Sequence, residues 1–242
     1  MIDTHCHIDL YPNPIQVIND CEAIGMIVIG MTNLPSHFEM GYKHVLPFKK
    51  VRLALGMHPL MANFHEKEFG LFLNNLSKTS YIGEVGLDFS KEGISTKEIQ
   101  LETFSKVLKA ISGQKKLLSL HSRNAENNVL ELLIGHNIKC AIFHWYSGPL
   151  NLIDKIIDAG YYFSINPAMI RSEKGKKIIN KIPLDRILTE SDGPFIEIDN
   201  RQIESKDIRL VYQYLSSVLQ KTETEIDLLI NSNFKNLIDG IK

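Results

Sequence analysis

Short apolar runs alternating with stretches of helical spacing constrain this chain more than any other feature. Runs that read as buried strands are Met1 to His7, Met26 to Met31, Val51 to Gly56, Ser80 to Val85, Leu117 to His121, Lys139 to His144, Tyr161 to Ile165 and Arg186 to Glu190. Each is bounded by Gly, Pro, Asn or Ser, and each gap suits one helix, as in the Phe104, Leu108, Ile111 and the Val129, Leu132, Leu133 spacings. With 242 residues, the eight units average about 30 residues, the size of a βα repeat. Eight such units close naturally into a (β/α)8 barrel, and residues 1–242 are expected to form one domain. An open doubly wound sheet is the alternative, weakened because no Gly-x-Gly-x-x-Gly opens a helix. Asp207 to Leu219 and Glu225 to Ile238 complete the helical ring, with Thr224 expected to cap the second.

The balance of 27 Lys+Arg against 28 Asp+Glu gives a net charge of −1, without the basic excess of a protein that coats nucleic acid. Phosphate recognition must then be local. No apolar run approaches the length of a membrane span. The residues after Met1 carry no basic and apolar leader, so the chain is expected in the cytoplasm. Three cysteines, Cys6, Cys21 and Cys140, form no Cys-x-x-Cys pair and are expected reduced and buried.

His5 and His7 share one face of the first strand while Cys6 points to the other, and two neighbouring neutral imidazoles suit a divalent metal. Glu84, His121, His144 and Asp192 stand at or just after the carboxyl ends of strands four, five, six and eight. In a closed barrel those ends share one mouth, so residues distant in sequence converge on a cluster of imidazoles and carboxylates. Such a set, free of thiolates, accommodates zinc, manganese or magnesium and is large enough for two ions. Two ions suit phosphodiester hydrolysis. Arg171 and Lys174 follow strand seven and are expected to contact phosphate, whereas Lys176 and Lys177 read as a solvated helix face. Trp145 can stack on a nucleobase at the mouth or pack into the core.

The stretches Asp3-Thr4-His5-Cys6-His7, Gly56-Met57-His58-Pro59, Gly83 to Asp88, His121-Ser122-Arg123, His144 and Glu190-Ser191-Asp192 resemble, in order and spacing across almost the whole chain, the TatD family of metal-dependent deoxyribonucleases. Within it, Tyr11 to Pro14, His144 to Gly148, Pro167 to Met169 and Thr189 to Phe195 most resemble the QatD-like component of the Qat anti-phage defence system. The resemblance implies that His5, His7, Glu84 and Asp192 serve one metal, with Glu84 bridging to a second held by His121 and His144. It also implies that His58 and Arg123 contact the scissile phosphate, Arg123 as a planar fork, and that other Qat proteins are partners. Asp192 reads as a ligand, a general base, or both; Glu84 and Asp192 are the expected catalytic residues. Ser191, the loop from Phe89 to Gly93 and Trp145-Tyr146 depart from the common family pattern.

The resulting expectation is hydrolysis of DNA, single-stranded or at a free end, since a barrel mouth receives a strand end more easily than a duplex interior. An amidohydrolase-like enzyme cleaving C–N bonds in a small molecule or modified base is the alternative, disfavoured by Arg123 and by Glu84 standing where a bridging lysine would be needed. A non-catalytic defence subunit is a third, weakened because every expected ligand is present.

Overall fold

The computed structural model describes residues 1–241. Parallel strands run in chain order around a ring: β1 (Ile2–Cys6), β2 (Ile27–Gly30), β3 (Val51–Leu53), β4 (Leu55–Met57), β5 (Tyr81–Gly86), β6 (Leu117–His121), β7 (Ala141–Phe143), β8 (Tyr162–Ile165) and β9 (Ile187–Thr189). The third apolar run is split. β3 pairs only with β2 and β4 only with β5, so the two pieces share one ring position and the ring has eight.

The split has a local cause. The Thr32 hydroxyl donates to the Ala54 carbonyl (2.9 Å) and accepts the Gly56 N–H (3.0 Å), while Thr32 exchanges backbone bonds with Gly83 and Glu84 of β5. A Cβ on Gly56 would stand 1.5 Å from the Thr32 carbonyl oxygen, so only glycine permits this approach. The backbone carrying Glu84 is thereby tied to the segment after β2.

The ring closes between β1 and β9. Thr4 donates its hydroxyl to the Thr189 carbonyl (3.0 Å), Thr189 donates to the Ile2 carbonyl (2.5 Å), and beyond the strands the Asp192 N–H reaches the His5 carbonyl (2.9 Å). The architecture is the expected (β/α)8 barrel.

The outer layer consists of α1 (Pro14–Ala23), α2 (Pro35–Val45), α3 (His65–Asn75), α4 (Lys97–Ile111), α5 (Glu126–Gly135), α6 (Ile153–Asp158), α7 (Pro167–Arg171), α8 (Glu173–Lys181), α9 (Arg209–Leu219) and α10 (Glu223–Asp239). In α4 the buried Phe104, Val107, Leu108 and Ile111 form the apolar stripe that turns towards the strands. Asn13 caps α1 ahead of Pro14, and Ser172 caps α8. The cap of α10 is Thr222, in a reciprocal box with Glu225, rather than Thr224, which lies within the helix. Between β9 and α9 the chain makes a small antiparallel hairpin, β10 (Glu197–Ile198) and β11 (Arg201–Gln202), that helical periodicity did not foresee. Ile196, Ile198 and Ile203 are buried there in a cluster of their own. Cys6, Cys21 and Cys140 are free and buried. Among the described residues no helix is long and apolar enough to cross a membrane.

Candidate metal centre

Glu84 organises the carboxyl end of the barrel. It stands in β5, 2 % exposed. Its Oε1 lies 2.6 Å from His121 Nδ1 and 2.9 Å from His144 Nε2; its Oε2 lies 3.1 Å from His7 Nε2, 3.3 Å from His58 Nε2 and 3.5 Å from His5 Nε2. Burial alone would raise the carboxyl, but the surrounding imidazoles, His58 and His144 foremost, hold it well below the usual range, so it is a carboxylate.

His5, on β1, is buried and presents Nδ1 to the Ser119 hydroxyl of β6 at 2.8 Å, while its ring stacks on His144 with centroids 3.9 Å apart. Burial, with His144 beside it, pushes His5 well below its ordinary value, leaving the neutral imidazole that a metal requires. His7 lies one residue beyond β1. The Nε2 atoms of the two histidines nevertheless converge to 3.2 Å, and Cys6 between them is buried against Gly193 on the other side.

Asp192 arrives from beyond β9 in a left-handed conformation, φ 50°. Its Oδ1 is buried without a hydrogen bond, 3.5 Å from His5 Nε2 and 3.9 Å from His7 Nε2. Burial pushes this carboxyl up to about 7. An orphaned carboxylate oxygen beside the neutral imidazole of His5 is costly unless a cation stands between them.

The residues fit such an ion. Donor atoms lie within 4.8 Å of one another in three sets: His5, His144 and Asp192; His5, His7 and Glu84; and His58, Glu84 and His121. All six expected ligands, His5, His7, Glu84, His121, His144 and Asp192, thus share one site. The grouping differs in detail from the expected one, since His144 stands with His5 and Asp192. His58 Nδ1 accepts the Leu60 N–H (3.1 Å), which leaves the proton of a neutral ring on Nε2, aimed at Glu84.

Three supporting residues were given no role by the sequence reading, although Asp88 and Glu190 stand within its motifs. Asp88 Oδ2 lies 2.7 Å from His121 Nε2 and so fixes that ring from behind. Ser119 holds His5; standing two residues before His121 on one strand, it shares that residue's face, a signal that alternation carries. Glu190, fully buried, accepts the Trp145 N–H (2.9 Å) and the Asn166 amide (3.0 Å), and the Ser164 hydroxyl donates to it.

Glu84, His58, His121, His144 and Asp192 form the floor of a cavity of about 680 Å³, whose wall includes Arg123, Trp145 and Phe195, while His5 and His7 lie behind that floor, outside its lining. Arg123 is exposed, 3.4 Å from Glu92. The structure does not bring Arg171 or Lys174 to this cavity. Arg171 donates to the Glu197 carbonyl (3.2 Å). Lys174 lines an adjoining groove with Lys177, joined to the cavity at Ser147, which borders both. Lys177, read as solvated, therefore shares that groove, whereas Lys176 pairs with Glu173.

The family profile described as TatD related DNase matches residues 2–239. The chain belongs to this family. Membership makes it a metal-dependent hydrolase of the deoxyribonuclease type. It is 26 % identical over 244 residues to an uncharacterized metal-dependent hydrolase of Methanocaldococcus jannaschii, covering 96 % of this chain and 94 % of that protein. It is 25 % identical over 264 residues to a human deoxyribonuclease of the TatD type, covering 100 % and 96 %. The crystal structure of a TatD homolog from Escherichia coli superposes with a TM-score of 0.88 at 22 % identity, covering 98 % of this chain and 97 % of that one, a likeness of fold. Within this TatD-family barrel, Arg123 is, among the described residues, the one arginine or lysine that lines the cavity.

Proposed function

We propose that this protein removes nucleotides from DNA, single-stranded or at a free end, by hydrolysis of phosphodiester bonds with two divalent ions, zinc, manganese or magnesium. The observation that carries this reading is the convergence of five imidazoles on the two oxygens of Glu84 at the floor of a cavity bordered by Arg123. His5, His7, Glu84 and Asp192 would hold one ion, and His121 and His144, with Glu84 between, the other. When bound, such ions lower the pKa of water and neutralise charge on a phosphoryl oxygen.

The chain's own residues do the rest. Asp192 Oδ1, buried and without a hydrogen bond, is placed to take a proton from the attacking water. The His58 Nε2–H points at Glu84 on the floor of the cavity, and Arg123 brings a planar fork suited to phosphate oxygens. Lys174, in the groove beyond Ser147, meets phosphates further along the strand. The barrel walls favour a strand end over the middle of a duplex, hence exonucleolytic action. The motifs shared with the QatD-like component support a role in anti-phage defence beside other Qat proteins, in the cytoplasm, with residues 1–242 as one domain.

The test uses metal-stripped protein supplied with Mg²⁺, Mn²⁺ or Zn²⁺ and a fluorescent single-stranded DNA. Metal-dependent cleavage, lost in Glu84→Ala, is the expected result; tight metal binding without cleavage of any DNA rejects the reading. Equal rates on circular and linear strands would reject the exonucleolytic mode alone.

A further inference from the structure

The cavity combines two chemistries. Its floor is imidazole and carboxylate, yet its walls include Leu60, Met61, Trp145 and Phe195. Phosphate recognition has no use for that apolar surface. Phe195 is 58 % exposed and Leu60 43 %, so neither is there to fill the core.

Ring order places these residues on two sides. Leu60 and Met61 follow the third ring position, Trp145 the sixth and Phe195 the eighth. In a ring of eight, the position opposite the third is the seventh, midway between the sixth and the eighth. Leu60 and Met61 therefore face the pair Trp145 and Phe195 across the mouth.

The aromatic side is held firmly. Trp145 packs on the separate cluster of Ile196, Ile198 and Ile203, next in chain to Phe195. Its backbone, at φ 38°, is fixed by the N–H bond to Glu190. Phe195 donates its N–H to the Asp192 carbonyl (3.0 Å) and stands edge-on to His7 with ring centroids 5.1 Å apart. Both aromatics are thus anchored next to expected metal ligands, Trp145 immediately after His144 and Phe195 three residues after Asp192.

We propose that these walls form a slot for one unpaired nucleobase, that of a nucleotide flanking the bond to be cleaved. The proposal rests on the phosphodiesterase reading and adds how the substrate is chosen. A nucleobase offers two apolar faces to two apolar walls while its phosphate reaches the floor. In a duplex those faces are covered by neighbouring base pairs, so the slot selects single strands or frayed ends. Every base has such faces, so it tolerates any sequence.

Trp145 is the only tryptophan in the chain, so its emission reports on the slot directly. Metal-loaded protein is titrated with an oligothymidylate, phosphorothioate-linked to slow cleavage, and with the same backbone lacking bases. Saturable quenching by the first and little by the second is expected. Phe195→Ala weakens the affinity about tenfold and Phe195→Tyr retains it. In parallel, cleavage rates on ordinary thymidylate and abasic strands are compared: a preference of about tenfold in the wild type falls to within about threefold in Phe195→Ala and Leu60→Ala. Equal quenching by both strands, or equal cleavage of both by the wild type, overturns the slot and leaves the hydrolase reading intact. Base-dependent quenching with no cleavage of either strand supports the slot and rejects the hydrolase reading.

Discussion

His121 presents one ring nitrogen to Asp88, 2.7 Å away, and the other to Glu84, 2.6 Å away. A carboxylate behind an imidazole fixes its tautomer and raises its basicity towards whatever the front nitrogen faces. Asp88→Asn is expected to weaken metal affinity by about 10-fold to 100-fold. Activity returns as metal is raised, and metal titration of the rate checks this. A loss that no metal concentration restores would assign Asp88 to the substrate instead.

Metal removal should be visible in stability as well as in turnover. A ligand held at 100 times its dissociation constant stabilises the folded state by about 2.7 kcal/mol. For a chain of this size that is a melting shift of roughly 5 to 10 °C. Chelation should lower the wild-type Tm by that amount and leave Glu84→Ala unmoved, as thermal scans with and without chelator would show. An equal drop in both proteins places the stabilising ion elsewhere.

The two cations after strand seven should behave differently. Lys174 lines the groove that meets the cavity at Ser147, whereas Arg171 is tied to the Glu197 carbonyl. Each phosphate contact to a single strand contributes about 0.7 to the salt slope of affinity. Lys174→Ala is expected to reduce the slope by about that amount, and Arg171→Ala to leave it unchanged, in binding isotherms measured across a salt series. The reverse order would show that Arg171 releases Glu197 when DNA binds.

Thr222→Ala should cost about 1 kcal/mol, or about 2 to 4 °C in Tm, because it removes the side-chain acceptor for the Glu225 N–H at the start of α10. Thr224→Ala, exposed inside the helix, should change stability by less than about 0.5 kcal/mol. Thermal unfolding of the two variants side by side decides which threonine is the cap.

The neighbouring threonines show that apolar spacing is not the whole of the sequence signal. That spacing located α10 to within two residues but misplaced its cap, although Thr222 carries Glu225 three residues on, the pattern of a capping box, and Thr224 carries Asp227 there instead. The hairpin at Glu197 to Gln202 was unreadable for a different reason: its strands have two residues each, too few for any period to emerge.

Eight short apolar runs separated by stretches of helical spacing determined the barrel, because parallel strands buried on both faces must be continuous and short. The same runs determined that Glu84, His121, His144 and Asp192 meet His5 and His7, because a closed ring brings all its carboxyl ends to one mouth. Tertiary structure alone decided which oxygen of Glu84 faces which imidazole, that Asp88 backs His121, and that Arg171 is spent on Glu197 while Lys174 borders a groove. Those outcomes depend on side-chain directions and loop paths fixed by packing between residues far apart in the chain, and no local period records them.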